Sequence, residues 1–520
     1  MQKENFEFIR YIQNENDAIW ADPEELKKIS ENPNGIIRKI NVETEECEKA
    51  GIPIMSDGSV TYVDGSDTHS MIFGATGSKK TRLFAMPMLK IFALAGESFI
   101  ATDPKGELFD KTSGFVENMG YKPIVLNFRD LESSDYWNPF DIPYRAFHEG
   151  HTERAISLLY DFLLPLFERQ LKCTKDTYFI ELGIAQAFAN LLFFIATASP
   201  HENNIYNFVE FFFKKATPEG TRECYEHIAK GSVAAINYLM ALANEKVEKT
   251  FANVTSTCAI AFRPFIIRKS LCQILSKSSY DINDMFSSKL AIYVIVPDEN
   301  TSCHFLVTTF IKQVYETLIS IAQQAKDKKL PVRVNFLLDE FCNIPTIPDM
   351  PSMISAARSR NIRFFLFAQS LFQLEQKYDK DAHTIKGNCD NWVFLTSREE
   401  VLLKEISFLC GQTSKGPLIS TSELQRLNKE IGEALILFGR ENPLVTELPD
   451  IDEYRFKEYS AMEKTAQSLP DIRKYDIEKV LSDINSGNVP IPFSKEVYGE
   501  DLYSDGSIKA KKNNKDLFDW

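Results

Sequence analysis

Apolar residues along this chain form short continuous runs that alternate with stretches of helical period. Residues 71–73, 96–102 and 121–127 each have the composition of a buried strand, and helical patterns separate them. Further strands are predicted at residues 290–296, 332–338, 362–368, 392–396 and 434–438. Strands and helices alternating at this spacing predict an α/β fold with a parallel sheet covered by helices.

The α/β pattern is interrupted near His148, and almost every apolar run from there to Ser278 has helical period. We therefore predict an all-α domain inserted into the α/β domain. Residues 1–147 are predicted to be an N-terminal segment with the first part of the α/β domain, and residues 148–284 to be the insertion. Residues 285–448 are the second part of the α/β domain, and residues 449–520 are a charged, partly ordered tail.

The two ends of the chain and its most apolar run need separate interpretation. Residues 1–37 look helical and polar, and residues 38–66 alternate short strands with turns. The tail carries a basic patch at Lys509, Lys511, Lys512 and Lys515. The run Leu182–Ala198 is short for a membrane span and contains Gln186 and Asn190, so we expect a core helix there.

Composition narrows the class of protein. The 520 residues are 44% hydrophobic and 25% charged, with a net charge of −14, which argues against a surface that binds nucleic acid all over but allows a local basic channel. Nine widely spaced cysteines suggest reduced thiols and no zinc site. The seven histidines lack metal-ligand spacing, and no serine or cysteine has nucleophile-elbow context, so nucleotide hydrolysis is the only hydrolytic activity with support.

The candidate chemistry is centred on a loop that follows the strand at residues 71–73. Gly74, Lys80 and Thr81 have the spacing of a P-loop, whose backbone N–H groups surround phosphates, whose lysine neutralises them and whose hydroxyl binds Mg²⁺. Lys79 replaces the second glycine of the motif. A left-handed Lys79 would cost on the order of 1 kcal/mol. In the alternative, the loop shifts, Lys79 takes the place of Lys80, and Lys80 stands where the Mg²⁺ hydroxyl belongs.

A second signal is an apolar strand, Val334–Leu338, that ends in Asp339 and Glu340. Asp339 is placed to hold Mg²⁺ through water or Thr81, and Glu340 to orient and deprotonate an attacking water. Apolar strands often end in solvated acids. The functional interpretation of Asp339 and Glu340 is therefore supported only because a P-loop is predicted in the same sheet.

Polar residues near the next strand complete the candidate site. Gln369 ends that strand, where it could sense the γ-phosphate or cap a helix. Arg358, Arg360 and Arg363 lie between the two acids and Gln369. One of these arginines could reach a neighbouring subunit's nucleotide, or all three could form a solvated or DNA-facing basic surface.

Several segments, taken in order, resemble the coupling-protein ATPases of type IV secretion and conjugation, the TraG/TraD-like group. The resemblance covers roughly residues 15–445 and includes the helical insertion. It rests on Gly74–Arg82, Asp103-Pro104-Lys105-Gly106-Glu107-Leu108, Trp137-Asn138-Pro139-Phe140, Leu338–Pro345, Ser359-Arg360-Asn361-Ile362, Gln369-Ser370 and Gly387-Asn388-Cys389-Asp390.

The resemblance implies a RecA-like P-loop NTPase domain with an inserted all-α domain, and a motor that uses ATP and Mg²⁺. Lys80, Asp339, Glu340, Gln369 and a trans-acting Arg358 would be its catalytic residues, with Thr81 and Asp339 on the metal. The nucleotide would bind along Gly74, Ala75, Thr76, Gly77, Ser78, Lys79, Lys80, Thr81 and Arg82.

The same resemblance implies a homo-hexamer at the cytoplasmic face of the cell membrane. It would recruit single-stranded DNA bound to a relaxase, or a secreted protein, and pass it to a type IV secretion channel. Family members usually begin with transmembrane helices, whereas this chain begins about where their cytosolic part starts. Either the membrane anchor is a separate polypeptide, or the protein works unanchored, or the anchor was trimmed away. The competing hypotheses are a docking receptor that binds nucleotide without turnover, motivated by Lys79, and an FtsK/HerA-type DNA pump, which Asp103–Leu108 and the helical insertion argue against.

Overall fold

The computed structural model describes residues 17–32, 35–173, 177–242, 248–280, 289–297, 299, 301–464 and 469–494. The chain forms two compact units. Unit 1 contains the residues up to Asn138 and Gln273–Pro470, and unit 2 contains Pro139–Cys272 and the residues from Asp471 onward. Each unit is described by itself below.

The described strands all belong to unit 1. They are β1 (Ile37–Asn41), β2 (Ile52–Ser56), β3 (Val60–Asp64), β4 (Ser70–Phe73), β5 (Ser98–Asp103), β6 (Lys122–Asn127), β7 (Leu290–Ile295), β8 (Val334–Leu338), β9 (Ile362–Ala368), β10 (Asn391–Phe394), β11 (Gln412–Thr413), β12 (Gly416–Pro417), β13 (Glu433–Leu437) and β14 (Leu444–Glu447).

Helices of unit 1 flank these strands. They are α1 (Pro23–Ile29), α2 (Met86–Leu94), α3 (Glu107–Asn118), α13 (His304–Gln324), α14 (Met350–Ala357), α15 (Leu371–Tyr378), α16 (Asp381–Gly387), α17 (Glu400–Leu409) and α18 (Thr421–Leu424).

The remaining described helices form unit 2. They are α4 (Asp141–His148), α5 (Thr152–Cys173), α6 (Tyr178–Thr197), α7 (Ile205–Lys215), α8 (Pro218–Glu226), α9 (Val233–Leu242), α10 (Glu248–Ala261), α11 (Arg263–Ile267), α12 (Lys269–Ile274, whose last residues lie in unit 1) and α19 (Ile477–Asn485).

A nine-stranded sheet forms the centre of unit 1, in the order β14-β13-β10-β4-β9-β8-β5-β7-β6. The strands from β10 to β6 are parallel, and β13 and β14 are antiparallel at one edge. Every residue of β4, β5, β7, β8 and β9 is buried, as expected for strands covered on both faces. The predicted α/β class and parallel sheet are therefore confirmed.

The register of the central strands fixes where the candidate site forms. Phe73 pairs with Ala368, and Leu338 pairs with Leu366. The residues that follow β4, β8 and β9 consequently emerge side by side at one edge, which we call the carboxyl edge of the sheet. This edge is where open α/β sheets bind ligands.

The first described residues of unit 1 differ from the prediction. Of the region expected to be helical, only Pro23–Ile29 is a helix among the described residues, and residues 1–16 lie outside them. The predicted short strands at residues 38–66 are present as a three-stranded antiparallel sheet in the order β1-β3-β2.

Unit 2 is all helical in its described part and is built around α6. This helix packs against α5, α9 and α10, and Gln186 and Asn190 are buried within it. The Asn190 side chain donates to the Gln186 carbonyl oxygen at 2.8 Å, which removes the main cost of burying an amide. Among the described residues, Tyr178–Thr197 and Thr301–Gln324 have the length and hydropathy of a membrane span, and 83% and 78% of these windows are buried inside the protein.

The boundaries of the helical unit differ from the predicted residues 148 and 284. Trp137 N–H donates to the Ile274 carbonyl at 3.1 Å, and Asn138 N–H donates to Ser278 Oγ at 3.0 Å. These bonds attach the segment that enters the helical unit, and the segment that leaves it, to unit 1. The first segment of unit 2 therefore begins at Pro139 and ends at Cys272. The predicted boundary at residue 148 therefore assigned nearly all of α4 to the α/β domain, whereas α4 belongs to unit 2.

The predicted tail at residues 449–520 is wrong for its described part. Ile451, Tyr454 and Phe456 are buried in the core of unit 1. In unit 2, α19 buries Ile477, Leu481 and Ile484, which are spaced at four and three residues on one helical face. The numerous charges between these apolar residues concealed their period. The basic patch at Lys509–Lys515 lies outside the described residues.

Candidate nucleotide site

The loop after β4 keeps a P-loop shape even though it carries Lys79. Gly77 and Lys79 both have positive φ, 74° and 64°, so Lys79 adopts the left-handed conformation that glycine normally provides. Within the described chain, the backbone N–H groups of Gly77 and Lys79 have no hydrogen-bond partner. Unpaired N–H groups in such a loop are what an anion requires.

Gly74 is required at the start of this loop for steric reasons. A Cβ on Gly74 would lie 2.4 Å from Ser78 Oγ and 3.0 Å from Lys80 Cγ. The neighbouring Ala75 N–H is already used, because it donates to Thr396 O at 2.9 Å. The Ser78 hydroxyl is buried without a hydrogen-bond partner among the described residues. A buried donor with no partner in the protein fits a loop that closes around an anion.

Lys80 occupies the position of the P-loop cation. Its Nζ donates to the Gly74 carbonyl oxygen at 2.5 Å, inside the loop. Burial lowers the pKa of Lys80, and the negative charges of Glu340 and Asp339 partly oppose that shift. An anion bound in the loop would favour the charged lysine further. The alternative in which Lys79 replaces Lys80 does not match this geometry.

Thr81 and Asp339 form the second contact of the site. Thr81 Oγ1 donates to Asp339 Oδ2 at 3.1 Å, where Thr81 opens a π turn, Thr81–Ala85, that leads into α2. Burial and the neighbouring Glu340 charge raise the pKa of Asp339 to about 6. A buried carboxylate beside a hydroxyl suits a hard divalent cation, which prefers oxygen ligands and would lower this pKa again.

Glu340 is held by two amides. Its Oε2 accepts from Gln369 Nε2 at 2.7 Å and from Asn343 Nδ2 at 3.0 Å. Gln369 in turn accepts from Thr76 Oγ1 through its Oε1 at 3.2 Å, so a continuous chain of hydrogen bonds joins the P-loop to Glu340. The N-cap of α15 is Ser370, so Gln369 does not cap this helix.

Glu340 also has an unusual backbone. Its φ is 52°, a left-handed conformation that costs a non-glycine residue on the order of 1 kcal/mol. Such strain is characteristic of functional sites and persists only where the surroundings enforce it. Here the Asn343 N–H donates to Glu340 O at 2.8 Å and the Phe341 N–H donates to Phe367 O at 3.0 Å. These two bonds close the turn after β8 and aim the Glu340 side chain toward Gln369.

Two groups beside the two acids, Asp103 and Thr102, were not singled out from the sequence. Asp103 is buried and accepts from Gly106 N–H at 2.8 Å and Phe109 N–H at 2.9 Å, which ties Asp103–Leu108 to the start of α3. Burial raises the pKa of Asp103 to about 6. Thr102 Oγ1 donates to the Asp339 carbonyl oxygen at 2.9 Å.

His304 is a further unpredicted neighbour of the site. Its Nε2 lies 2.8 Å from Pro297 O and its Nδ1 lies 3.3 Å from Asn343 O, so it joins the end of β7 to the turn that holds Glu340. Asn343 and Asp103 lay within segments that carried the family resemblance, which was the available signal. His304 had none, because only the tertiary fold brings it to Asn343.

Arg82 has protein partners in place of the predicted nucleotide. Its Nε donates to Asp450 Oδ2 at 2.8 Å, and its Nη2 contacts both Asp450 and Asp452. Hydrogen bonds to Asp450 raise the pKa of Arg82. Arg82 therefore fixes the first turn after the P-loop to residues that the prediction assigned to a tail.

The three arginines near β9 have different positions. Arg358 is exposed and pairs with Asp390 at 3.0 Å. It precedes β9, so within one chain it lies at the edge opposite the P-loop, about 20 Å away for a seven-residue strand. Arg363 is fully buried against Glu97 and Asn335, which excludes the predicted basic surface for this residue. Arg360 Nη1 donates to Ala356 O at 3.1 Å.

The fold and the site define a class: a RecA-like P-loop nucleotide-binding protein with an inserted all-α unit. The chain belongs to the family described as type IV secretory system conjugative DNA transfer, whose model matches residues 19–428.

Two curated proteins are similar to this chain in sequence. Protein VirD4 of Rhizobium rhizogenes is 23% identical over 363 residues, which cover 67% of this chain and 50% of that protein. Protein VirD4 of Rhizobium radiobacter is 24% identical over 383 residues, with 71% and 52% covered. The chain thus spans about half the length of the curated relatives it matches.

Similar solved structures are those of the plasmid coupling protein TrwB. TrwB with the non-hydrolysable ATP analogue ADPNP has a TM-score of 0.58 at 14% identity, with 89% of this chain and 100% of that chain covered. TrwB with ADP and Mg²⁺ has a TM-score of 0.56 at 12% identity, with 88% and 97% covered. At these identities the likeness establishes the fold, and the RecA-like prediction with an all-α insertion is confirmed.

Proposed function

We propose that this chain is an ATP-driven coupling protein that recruits single-stranded DNA bound to a relaxase, or a secreted protein, and passes it to a type IV secretion channel. One observation carries the proposal. Two contacts between separate strands meet at the carboxyl edge of the sheet: Thr81 with Asp339 at 3.1 Å, and Gln369 with Glu340 at 2.7 Å. This arrangement joins a phosphate-binding loop to a metal ligand and a general base.

The geometry supports the following roles in nucleotide binding. The N–H groups of Gly77 and Lys79 and the ammonium of Lys80 would bind the phosphates of ATP, and Thr81 and Asp339 would hold Mg²⁺. Gly74, Ala75, Thr76 and Ser78 shape the loop. Mg²⁺, when bound, supplies positive charge that offsets the charge of the phosphates.

Hydrolysis would depend on Glu340 and Gln369. Glu340 uses Oε2 for both amides, and its Oε1 has no partner among the described residues. Oε1 is therefore available to accept a proton from water. Gln369, which bonds to both Thr76 and Glu340, would report the state of the P-loop to that base.

Arg358 fits this scheme only between chains. It is exposed, with 57% of its side chain accessible, and it lies at the opposite edge from its own P-loop. We propose that it stabilises charge at the nucleotide of a neighbouring copy in a homo-hexameric ring. Mixing Arg358→Ala with Glu340→Gln should restore turnover above that of either variant alone, because some interfaces then contain both intact residues. No restoration would contradict a trans role.

Substrate and location are proposed on the basis of family membership. With a net charge of −14, DNA binding would be confined to a local surface such as a ring lumen and would weaken as salt rises. We place the protein at the cytoplasmic face of the cell membrane, held there by secretion-channel components or by a separate membrane-anchor protein.

The test is Mg²⁺-dependent ATP hydrolysis with and without single-stranded DNA. We expect turnover that DNA stimulates. Lys80→Ala should lose nucleotide binding, whereas Glu340→Gln should bind ATP and lose at least about a hundredfold in turnover. Turnover that persists in both variants would refute the assigned site.

A second function has one observation in its favour, namely Lys79 at positive φ in the P-loop. In this alternative the protein is a docking receptor that binds nucleotide and substrate with little or no hydrolysis. Lys79→Gly discriminates between the two functions. Absence of turnover in both the native protein and Lys79→Gly, with nucleotide binding intact, would favour the receptor and exclude the motor.

A further inference from the structure

The turn that precedes β13 lies against the P-loop. We call residues Asn428–Gly432 the 428–432 cap. Two lysines cross between it and the loop in opposite directions. Lys79 Nζ lies 3.2 Å from Glu430 Oε2, and Lys429 Nζ donates to the Gly77 carbonyl oxygen at 3.2 Å. Both contacts reach the positive-φ residues that shape the loop.

The topology explains how a segment so distant in sequence reaches this position. The cap leads directly into β13, which is antiparallel to β10, and β10 lies beside the P-loop strand β4. An antiparallel strand begins where its parallel neighbours end. The start of β13 therefore lies at the carboxyl edge, together with the P-loop.

The cap is held from its own side. Asn428 N–H donates to Glu433 Oε2 at 2.6 Å, and Glu430 N–H donates to Asn428 Oδ1 at 3.0 Å. Gly432 O accepts from Leu448 N–H at 3.0 Å. A Cβ on Gly432, where φ is 76°, would lie 2.0 Å from Leu448 O, so only glycine fits. These contacts orient Glu430 without help from the P-loop.

Lys79 has two possible anionic partners. Its backbone takes the place of a P-loop glycine, so an ammonium on a four-carbon flexible stem begins beside the phosphate site. Glu430 holds that ammonium at the cap, outside the loop, while Lys80 fills the loop. Without Glu430, the phosphates of a bound nucleotide become the nearest strong anion to Lys79, and a new cation–phosphate contact forms.

We propose that Glu430 is a positioning residue that withholds Lys79 from the phosphates, so that the 428–432 cap sets how tightly and how long this chain holds its nucleotide. The inference rests on the proposed nucleotide binding and goes beyond it, because it concerns residues outside the P-loop motif. Glu430 is 69% exposed on its side chain, so the ion pair contributes little to folding stability. Its effect should therefore be seen in nucleotide affinity and release, and not in unfolding.

The experiment is a double-mutant cycle on binding of a fluorescent ADP derivative with Mg²⁺. It compares the native chain, Glu430→Gln, Lys79→Gly and the double variant. Glu430→Gln should tighten binding about fivefold, mostly through slower release, and should steepen the salt dependence. The double variant should match Lys79→Gly. Glu430→Asp, which keeps the charge, should remain near the native affinity.

Glu441→Gln is the matched control. Glu441 is half-buried in the turn beyond the other end of β13, so this variant makes the same change in net charge away from the P-loop and should leave affinity unchanged. Circular dichroism and thermal midpoints establish that each variant is folded.

The outcomes separate this inference from the proposed function. Absence of nucleotide binding by the folded native chain would overturn both. Native binding combined with an equal effect of Glu430→Gln in the native chain and in the Lys79→Gly variant would overturn the inference alone. Weaker binding in Glu430→Gln would also overturn it, because the pair would then support the loop and not withhold Lys79.

Discussion

Two polar clusters occupy opposite ends of the same two strands. At the carboxyl edge, Asp339 and Glu340 follow β8 and Gln369 follows β9. At the amino edge, the second residues of these strands, Asn335 and Arg363, are fully buried. Both clusters place charge beside the same apolar core, but they differ in how completely their polar groups are hydrogen-bonded.

The amino-edge cluster is satisfied within the protein. Arg363 donates to Asn335 Oδ1 and Glu97 Oε2 at 2.8 Å each, and to Ala50 O and Ser66 O at 3.0 and 3.1 Å. Burial lowers the pKa of Arg363 to about 10, and the Glu97 charge opposes the shift. Every contact here joins separate segments of unit 1, which is what a structural network does.

The carboxyl-edge cluster is left incomplete by comparison. Ser78 Oγ is buried without a partner among the described residues, the pKa of Asp339 is raised to about 6, and Glu340 has a left-handed backbone. A protein under selection for stability alone would have no use for these features. The difference indicates that one edge stabilises the sheet and that the other is kept ready for an anion and a metal.

The largest expected effect comes from breaking the amino-edge network. Arg363→Met leaves the buried Glu97 carboxylate with Arg333, at 3.2 Å, as its remaining ion-pair partner. Removing one member of a buried ion pair costs roughly 3–5 kcal/mol when the other charge is left uncompensated, so we expect a loss at the lower end of that range. We expect a large drop in the thermal midpoint of unfolding. Nucleotide affinity, measured below that midpoint, should change little.

Arg360→Met is the control for this prediction. Arg360 lies in the same segment and donates to Ala356 O and Ser359 Oγ, so its loss leaves no charge buried. An equal loss of stability in both variants would show that the Arg363 network is not the stabilising element.

The second prediction concerns Asp339, whose substitution should increase folding stability and not decrease it. Because the pKa of Asp339 is raised from 3.8 to about 6 in the folded protein, the folded state binds this proton more tightly than the unfolded state. Its stabilising contribution is complete below about pH 4 and is lost as pH rises through about 6. At pH 7.5 the ionised carboxylate costs on the order of 3 kcal/mol. Asp339→Asn should therefore stabilise the nucleotide-free protein.

Thermal melts at pH 4 and pH 7.5 check this. The gain from Asp339→Asn should be present at pH 7.5 and absent at pH 4, and stabilisation by Mg²⁺ with ADP should be lost in the variant. A variant less stable than the native chain at pH 7.5 would mean that Asp339 is a structural residue and that the comparison between the two edges is wrong.

The sequence predicted the central sheet because its strands are long apolar runs. β5 to β9 are largely buried on both faces, so no alternation of polar residues obscured them. The insertion boundaries were missed because α4 has helical period whichever unit it joins. Residues 449–494 were missed because their buried residues, such as Ile451 and Ile477, are few and separated by charges.

The candidate site was predicted where a residue directly follows a strand. Asp339 and Gln369 belong to this group, since strand order alone brings them together, whereas Lys80 was found from the spacing of the P-loop that follows β4. Contacts through turns could not be predicted, as Arg82 with Asp450 and Lys79 with Glu430 show. Arg363 was misinterpreted as a surface arginine because a single charge in an apolar strand gives no indication of its buried partner.

The smallest expected effect tests how the strained Glu340 is held. Asn343 donates to Glu340 Oε2 through its side chain and to Glu340 O through its backbone, and only the side-chain bond is removed in Asn343→Ala. Glu340 then keeps Gln369 at 2.7 Å but gains rotational freedom. Loss of one hydrogen bond to a charged group predicts about a tenfold fall in kcat, with KM for ATP and the thermal midpoint nearly unchanged.

Asn388→Ala provides the matched control, because Asn388 is a half-buried amide that donates to Thr384 O at 2.8 Å and to Ser355 Oγ at 3.2 Å, away from the P-loop. It should leave kcat unchanged, whereas Asn343→Asp, which places a second negative charge beside Glu340, should lower kcat further. If Asn343→Ala instead raised KM and left kcat intact, Asn343 would act on nucleotide binding. The carboxyl edge would then not be divided between a P-loop that binds the nucleotide and a turn after β8 that orients Glu340.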